Sequence, residues 1–488
     1  MAPRPSRVLF VASECFPLIK TGGLADVIGA LPLALSTEGF DAHVLLPAFP
    51  AVKAAAASRR KFADLEDLFG GSATIYKATS SNGLKLFLLD APHLFDVEGN
   101  PYQGPDGKDR ADNFRRFAAL AYAGAELAAG NISDKFTADV LHAHDWQAGL
   151  TAAYLKAAGN TAVKTVFTIH NLAFQGLFPK AAFASLGLPA TMFSPEGFEY
   201  WDQVSFLKAG IVYSDWVTTV SPTYAFEIQT DDGGMGLGGL LKSRNNKLSG
   251  IRNGIDTLIW DPASDDALPH SFSARALAGK AKNKAALQRE FGLEENPDAP
   301  LFCVVSRLTE QKGLDLLAGA IPHIAGNGGQ LAVLGSGEKS LEGVFQNAAI
   351  KYKGAVGVRI GYDEPLAHRL QAGADAIFVP SRFEPCGLTQ LCALRYGTVP
   401  IVARVGGLAD TIVDANEAAL MAGAGNGVQF SPVNFDMLTG AIDRFFSLYR
   451  DPAVFAALRQ RAMKQDVSWA LPAKDYASIY TRLKSAAA

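Results

Sequence analysis

The amino-acid sequence predicts an α/β protein built from two doubly wound lobes. Short, continuous apolar runs alternate with amphipathic segments, which is the pattern of a parallel sheet covered by helices on both faces. The same alternation begins again near residue 300. At 488 residues the chain is too long for one ordinary core, so two large domains are expected.

Each lobe is expected to contain its own series of strands. In the first half the predicted strands are 8–12, 42–46, 86–89, 140–143, 165–169 and 216–220. In the second half they are 301–305, 331–334, 356–360, 376–379 and 400–403. The chain ends in predicted helices over 435–448, 452–464 and 473–484. The polar, proline-containing segment 261–266 predicts a hinge close to the change of lobe.

Composition and charge exclude several classes of function. Apolar residues make up 49% of the chain and charged residues 19%, which predicts a packed interior rather than disorder. The net charge of −3 makes nucleic acid an unexpected partner. The four cysteines show neither zinc-site spacing nor a disulfide framework. No apolar run approaches the roughly 20 residues that span a bilayer, so we expect a soluble, cytoplasmic protein without a membrane partner.

A glycine-rich loop follows the first predicted strand and contains Lys20, Gly22 and Gly23. Glycine lets a ligand approach the backbone, and the following helix N-terminus presents N–H groups with partial positive charge. With the charge of Lys20, this arrangement suits a pyrophosphate. A plain tight turn explains the loop equally well, and the spacing is not that of a P-loop.

Part of this loop recurs later in the chain. The residues Gly-Gly-Leu-Ala-Asp stand at 22–26 and again at 406–410, in each case between a predicted strand and a predicted helix. Two helix starts that happen to match explain the repeat as well as a shared phosphate- or sugar-facing role does, and both interpretations stay open here.

Two basic side chains follow the first strand of the second lobe. Arg307 and Lys312 lie just past the carboxyl end of strand 301–305, where ligands bind in open α/β sheets. Two cations at this position can hold a diphosphate. The alternative is a solvated, positively charged turn, and the position after the strand favours the binding site.

A second polar segment follows strand 376–379. Glu384 stands in the loop, and the residues from Cys386 to Thr389 begin a predicted helix whose N–H groups can receive a phosphate. A carboxylate there can orient sugar hydroxyls or stabilise a cationic sugar ring. The alternative for Glu384 is a charge that complements the helix dipole.

The first lobe adds histidines and aromatic rings. His142 and His144 are two residues apart on a strand, but no third metal ligand is evident nearby, which favours a structural role. His170 is ambiguous by itself. We expect rings that offer apolar faces to a glucan at Phe95, Tyr102 and Trp146.

Taken together, these segments resemble the bacterial, ADP-glucose-using glycogen synthases, which are close relatives of plant starch synthases. The motifs that carry the resemblance are Lys20-Thr21-Gly22-Gly23-Leu24-Ala25-Asp26-Val27, His144-Asp145-Trp146, His170-Asn171, Asn253-Gly254-Ile255-Asp256, Ser306-Arg307-Leu308 through Lys312-Gly313, and Ser381-Arg382-Phe383-Glu384-Pro385-Cys386-Gly387-Leu388. They run in family order along nearly the whole chain.

The resemblance implies a GT-B fold with two Rossmann-like lobes and a deep interdomain cleft. The implied parts are an N-terminal lobe over 1–256 that holds the acceptor side and part of the donor site, a nucleotide-sugar-binding lobe over 257–458, and a C-terminal helical segment over 459–488 that crosses back. It also implies retaining transfer of glucose from ADP-glucose to the non-reducing 4-OH of an α-1,4-glucan, without a cofactor or a required metal.

The resemblance also assigns roles to individual residues. Those implied in catalysis are Glu384, His170, Arg307, Lys312 and Asp145. Those implied in donor binding are Lys20, Gly22, Gly23, Asn253, Tyr362, Cys386, Gly387, Leu388 and Thr389, with Tyr362 stacking on adenine. Those implied on the acceptor side are Glu14, Asp26 and Tyr102.

One position departs from a pattern found in many retaining GT-B enzymes. The Glu-x7-Glu spacing would place a second acid at residue 392, which is a cysteine here. Bacterial glycogen synthases commonly lack that acid, so only a paired carboxylate at the ribose is put in doubt.

Two alternative functions remain: a transferase that uses UDP-glucose or another acceptor, and a non-catalytic protein that binds glucan or nucleotide.

Overall fold

The computed structural model describes residues 4–56 and 58–485, which form two compact units. One comprises the described residues of Met1–Asn253 and Trp469–Ala488, and the other is Gly254–Ser468. The first change of unit lies close to the expected boundary at 256. The second differs from the expectation, because residue 459 lies inside the helix Pro452–Lys464 and the chain leaves the second unit only after Ser468.

The first unit contains most of its strands and helices in the amino-terminal half of the chain. Its strands are β1 (Ser6–Val11), β2 (Phe40–Pro47), β3 (Arg60–Leu65), β4 (Ala73–Thr79), β5 (Lys85–Asp90), β6 (Val140–His144), β7 (Lys164–Ile169), β8 (Leu177–Pro179), β9 (Glu199–Tyr200), β10 (Gln203–Ser205), β11 (Trp216–Thr219) and β12 (Leu248–Gly250). Its α-helices up to residue 253 are α1 (Gly23–Thr37), α2 (Pro50–Ala55), α3 (Pro92–Phe95), α4 (Asn113–Ala129), α5 (Thr151–Ala157), α6 (Phe206–Tyr213), α7 (Pro222–Glu227) and α8 (Gly238–Ser243). Its short 3-10 helices are Trp146–Ala148, Lys180–Ser185, Ala190–Met192 and Asn245–Lys247.

The large sheet of this unit has the strand order β12-β11-β7-β6-β1-β2-β5-β4-β3. All neighbours from β12 to β5 are parallel, whereas β4 pairs antiparallel with both β5 and β3. The chain leaves β1 first towards β2 and later returns to β6 on the other side. The point between β1 and β6 is therefore the topological switch point, where doubly wound sheets bind their ligands. A small antiparallel sheet has the order β8-β10-β9.

The second unit repeats the same principle. Its strands are β13 (Leu301–Val305), β14 (Gln330–Gly335), β15 (Val356–Ile360), β16 (Ala376–Val379), β17 (Val399–Ala403) and β18 (Val428–Phe430). Its helices are α9 (Ala278–Phe291), the 3-10 helix Glu310–Lys312, α10 (Leu314–Gly326), α11 (Lys339–Lys351), α12 (Glu364–Gly373), α13 (Thr389–Tyr396), α14 (Gly406–Thr411), α15 (Glu417–Met421), α16 (Phe435–Tyr449) and α17 (Pro452–Lys464). The final helix, α18 (Ala470–Ser485), belongs to the first unit.

The second sheet is parallel throughout, in the order β15-β14-β13-β16-β17-β18. Its switch point lies between β13 and β16. Side chains of β13 alternate between the two faces, so that Phe302 and Val304 pack in one buried cluster and Leu301 and Cys303 in another. Both faces are thus covered, which confirms the doubly wound fold that the continuous apolar runs predicted.

Other features of the fold also differ from the sequence-based expectation. Several strands were not predicted, because they are short or partly exposed and lack a continuous apolar run; these are β3, β4, β8, β9, β10, β12 and β18. The segment expected to be a hinge instead packs within the second unit. Asp261 forms an ion pair with Arg395, and the buried carboxylate of Asp265 accepts hydrogen bonds from His368 and Tyr396.

Candidate functional site

In the first unit, a group of polar side chains surrounds the loop after β1. The buried carboxylate of Glu14 accepts hydrogen bonds from the Thr21 backbone, from Thr21 Oγ1 at 2.5 Å and from the Gly22 backbone at 3.2 Å. The hydroxyl of Tyr102 also donates to Glu14. The start of the proposed phosphate loop is therefore held by hydrogen bonds to the Glu14 carboxylate.

The loop residues themselves begin helix α1. Gly22 is the N-cap, and a Cβ atom added to it would meet nothing within 4 Å, so its outer side is open. Lys20 Nζ lies 2.9 Å from Asp26 Oδ1, and Gly23 is the first residue of the helix. The first N–H groups of any α-helix lack intrahelical acceptors. The loop therefore has the chemistry of an anion site, and its diphosphate role stays a prediction.

Asp145 follows β6 in an unusual backbone conformation. Its φ of 55° is positive, a region that favours glycine and costs energy for other residues. Its Oδ1 accepts a hydrogen bond of 2.7 Å from the backbone N–H of His170, which follows the neighbouring strand β7. The pKa of Asp145 is raised to about 7, chiefly by burial and to a smaller extent by the charge of nearby Glu14, against two backbone hydrogen bonds that lower it. A strained, desolvated carboxyl at a switch point is typical of a functional site.

His170 stands beside Asp145 at the end of β7. Its Nε2 lies 2.9 Å from Nδ1 of His144, and burial lowers the pKa of His170 to about 3. His142 lies 2.7 Å from the Tyr480 hydroxyl and 2.6 Å from Thr168 Oγ1. His142 and His144 thus both have hydrogen-bond partners within the protein, which is consistent with a structural role.

Other residues of the first unit differ in exposure. Asn253 is buried, and its Oδ1 has no hydrogen-bond partner among the described residues. Tyr102 is half-buried, and its pKa lies well above the usual value because of burial and the adjacent Glu14 carboxylate. The expectation for Phe95 is wrong, because its ring is fully buried against Phe49 and has no face to offer a glucan.

In the second unit, a cation and a carboxylate meet beside the switch point. Lys312, in the loop after β13, places Nζ 2.6 Å from Glu384 Oε2, in the loop after β16. Glu384 is buried, and the Ser381 hydroxyl donates to the same oxygen over 2.8 Å. This pairing rules out a solitary, solvated role for either residue.

Arg307 lies in the same loop as Lys312 but points outward. Its side chain is exposed and has no hydrogen bond or ion pair among the described residues. The C-cap Gly313 has φ 66°, and a Cβ added there would lie 2.0 Å from the Pro380 carbonyl oxygen. Glycine therefore lets the basic loop approach the end of β16 closely.

The loop from Glu384 to Gly387 is held by its backbone carbonyl groups. Gly407 N–H donates to the carbonyl oxygen of Glu384 over 3.1 Å, and Gln390 Nε2 donates to those of Cys386 and Gly387. Gly387 has φ 70°, which favours glycine, and Leu388 caps the helix that begins at Thr389. With its carbonyl groups engaged, the loop begins α13 with N–H groups that helix geometry leaves without acceptors.

The repeated Gly-Gly-Leu-Ala-Asp segment has two different roles. At Gly22 the space for a side chain is open, whereas a Cβ on Gly407 would lie 2.3 Å from the Cys386 carbonyl oxygen. The second copy packs against the Glu384 loop. Ser381, Gln390 and Gly407 thus support this loop, a role that the sequence did not indicate, although Ser381 lies in a quoted motif and Gly407 in the repeat.

Two further predicted residues lie around this loop. Tyr362 follows β15 and is 67% exposed, so its ring is available for stacking. Cys386 is buried and forms no disulfide. In residues 4–56 and 58–485 we find neither a group of three His, Cys, Asp or Glu side chains that could hold a metal ion nor a helix long and apolar enough to cross a membrane.

Comparison with known proteins agrees with this arrangement. The family described as Starch synthase catalytic domain matches residues 7–243, and Glycosyl transferases group 1 matches residues 288–462. A glycogen synthase of Rhodopseudomonas palustris strain HaA2 is 54% identical over 97% of this chain and 98% of its own. That of Methylocella silvestris is 54% identical over 98% of both chains. This chain belongs to the glycogen synthase family.

A solved relative confirms the architecture. The catalytic domain of starch synthase IV from Arabidopsis thaliana, bound to ADP and acarbose, superposes with a TM-score of 0.90. It is 33% identical and covers 99% of this chain and 100% of its own. The protein is therefore a GT-B glycosyltransferase, as the family resemblance implied, and an enzyme of the glycogen synthase class.

Proposed function

We propose that this protein transfers glucose from ADP-glucose to the non-reducing 4-OH of an α-1,4-glucan, with retention of configuration. The observation that carries the proposal is the contact between Lys312 and Glu384 beside the second switch point, with Arg307 in the same loop. The relative from Arabidopsis thaliana was solved with ADP and acarbose, which supports a nucleotide and a saccharide as ligands.

The basic residues act on the departing diphosphate. As the bond between the anomeric carbon and the phosphate oxygen breaks, negative charge grows on ADP. Lys312 and Arg307 stabilise that charge, and Lys20 contributes a third cation. The backbone N–H groups at Leu388 and Thr389, together with Cys386, Gly387 and the loop residues Gly22 and Gly23, receive the phosphate oxygens. The exposed ring of Tyr362 stacks on adenine.

The carboxylates and His170 act on the sugars. Glu384, Asp145, His170 and Asn253 hold the transferred glucose, and Glu14, Asp26 and Tyr102 line the acceptor side. Glu384 Oε2 already accepts from Lys312 and Ser381, which suits a fixed electrostatic role better than attack on the sugar. We therefore propose a front-face reaction. The acceptor oxygen bonds to the anomeric carbon on the face that ADP leaves, and its proton passes to the departing phosphate oxygen.

The donor and the acceptor are tested in one assay. Nucleoside diphosphate release is measured from ADP-glucose and from UDP-glucose, each with and without glycogen, and the glucan product is digested to identify the new linkage. We expect release that depends on glycogen and is faster with ADP-glucose. Faster release from UDP-glucose would contradict ADP-glucose as the donor. A disaccharide product would contradict the glucan acceptor, and binding of ADP without any turnover would contradict a catalytic role.

Three further expectations remain predictions. The reaction is expected to need no cofactor or metal, so activity should persist in excess EDTA. Loss of activity that returns when Mg²⁺ is added would contradict this.

Nucleic acid is not an expected partner. The cytoplasmic location is tested by fractionating cells and measuring glucosyltransferase activity in each fraction.

A further inference from the structure

The contact between His144 and His170 links a buried residue to the candidate site. His144 Nδ1 and His170 Nε2 are 2.9 Å apart. Burial lowers the pKa of His170 to about 3 and holds that of His144 well below its usual value. Both rings are therefore neutral, and a hydrogen bond between two neutral imidazoles requires that one nitrogen donates and the other accepts.

The surroundings of His144 decide which nitrogen carries the proton. Its ring is fully buried, stacks on Phe10 with centroids 5.4 Å apart and lies 4.1 Å from the ring of His142. Its Nε2 has no hydrogen-bond partner among the described residues. A proton on Nε2 would be a buried, unpaired donor, which folded proteins largely avoid. The proton is better placed on Nδ1, where it donates to His170 Nε2.

We propose that His144 is a positioning residue that fixes the tautomer of His170. Because His170 Nε2 accepts from His144, the ring proton of His170 stands on Nδ1. Nδ1 has no hydrogen-bond partner among the described residues, and His170 is half-buried at the end of β7. His170 is then a hydrogen-bond donor towards an oxygen of the transferred sugar. That last step rests on the proposed function, whereas the tautomer does not.

The support for His144 extends through the sheet. His142 and His144 lie two residues apart on β6 and so point to the same face. His142 lies within hydrogen-bonding distance of Tyr480 on α18 and of Thr168 on β7. Phe10 on β1 stacks on the ring of His144 and also contacts that of His142. The ring of His144 thus has little freedom to turn, and this rigidity is what a residue that sets a neighbour's tautomer needs.

The tautomer is measured directly by ¹⁵N NMR of the full chain labelled on histidine, with His170→Asn identifying the His170 signals. We expect a neutral ring protonated on Nδ1. In His144→Asn the side-chain amide replaces the Nδ1 donor, and the tautomer should persist. In His144→Phe the donor is lost, and protonation on Nε2 should appear. A His170 ring protonated on Nε2 in the unmodified protein overturns the proposal.

Kinetics provide the second readout. We expect His144→Phe to lower kcat about tenfold or more with little change in KM, and His144→Asn to stay within about threefold of the unmodified enzyme. His43→Phe is the matched control, since His43 is a half-buried histidine of the same sheet on β2, and it should change neither the tautomer nor kcat. An unchanged tautomer and full kcat in His144→Phe would also overturn the proposal. If His144→Phe does not fold, the tautomer of His170 in the unmodified protein decides whether the proposal holds.

These readouts separate the two proposals. An Nδ1-protonated His170 in a protein that does not use ADP-glucose would leave the role of His144 intact and contradict the proposed function. Glucosyl transfer by a protein whose His170 is protonated on Nε2 would support the proposed function and contradict the role of His144.

Discussion

At the scale of single residues, Asp145 combines two energetic costs, one in its backbone and one in its side chain. Its backbone occupies a region that favours glycine, and its carboxyl is largely withdrawn from water. Its hydrogen bond to the His170 backbone ties the ends of β6 and β7 together. Strain and desolvation at one position are typical of sites that trade stability for a fixed geometry.

The raised pKa of Asp145 predicts how stability depends on pH. Its pKa rises from 3.8 to about 7 on folding. Between these values the unfolded chain is ionised while the folded protein keeps the proton, so rising pH favours unfolding. Asp145→Asn removes this effect, and its stability relative to the unmodified protein should increase by roughly 2–4 kcal/mol from about pH 4 to about pH 8, then stay constant. Urea unfolding measures this, and a difference independent of pH would contradict the pKa.

Lys312 is the residue whose charge the proposed reaction needs most. We expect Lys312→Ala to lower kcat about 10²–10³-fold while the KM for glycogen changes little, because the lost charge acts on the departing diphosphate. Lys339→Ala is the matched control, since Lys339 is an exposed lysine of the same unit paired with Glu342. Steady-state assays with ADP-glucose compare the two, and near-normal turnover of Lys312→Ala would remove it from the mechanism.

At the scale of elements, helix α14 supports the Glu384 loop through its first turn. Gly407 donates to the carbonyl groups of Glu384 and Pro385 and lies against Cys386 too closely for a side chain. The helix therefore supports the loop through backbone contacts. The first copy of the repeat, at Gly22, has open space instead, so the same five residues serve packing in one unit and access in the other.

This packing predicts a large effect of one methyl group. Gly407→Ala places Cβ 2.3 Å from the Cys386 carbonyl oxygen, and we expect a loss of about 1–3 kcal/mol of stability together with reduced kcat. Gly343→Ala is the control, because its Cβ in helix α11 meets nothing within 4 Å, and it should be stabilising by about 0.4–1 kcal/mol. Thermal unfolding and ADP-glucose kinetics test both, and equal stability of the two variants would contradict the close contact.

At the scale of the whole molecule, the end of the chain completes the unit in which the chain begins. Helix α18 packs against α1 and β7, with the rings of Tyr476 and Tyr480 fully buried. The Tyr480 hydroxyl reaches His142 inside the first sheet. The stability of the first unit thus depends on residues far along the chain from its other elements.

We expect Tyr480→Ala to destabilise the first unit by about 3–5 kcal/mol and Tyr480→Phe by about 1 kcal/mol, since the former removes the ring and the latter only the hydrogen bond. Hydrogen exchange measures protection in β6 and β7 of the first unit. Strand β13 of the second unit is the internal control, and its protection should not change. Equal loss in both units would show that α18 does not act on the first unit alone.

The sequence by itself determined the two doubly wound sheets and the motifs at their strand ends. Continuous apolar runs are a local signal, because a buried parallel strand needs apolar residues on both faces. Motif order and resemblance then indicated the family that the comparisons confirmed. Short strands such as β3 at the edge of the sheet and its neighbour β4 carry no such signal and were missed.

Only the tertiary structure decided which residues meet. Lys312 and Glu384 are far apart in the chain, and their contact exists because β13 and β16 are neighbours. The same holds for His144 with His170 and for Gly407 with the Glu384 loop. A residue's type and its local pattern indicate what chemistry it can perform. Its partner, its burial and hence its protonation state depend on strand order and packing, which no local pattern contains.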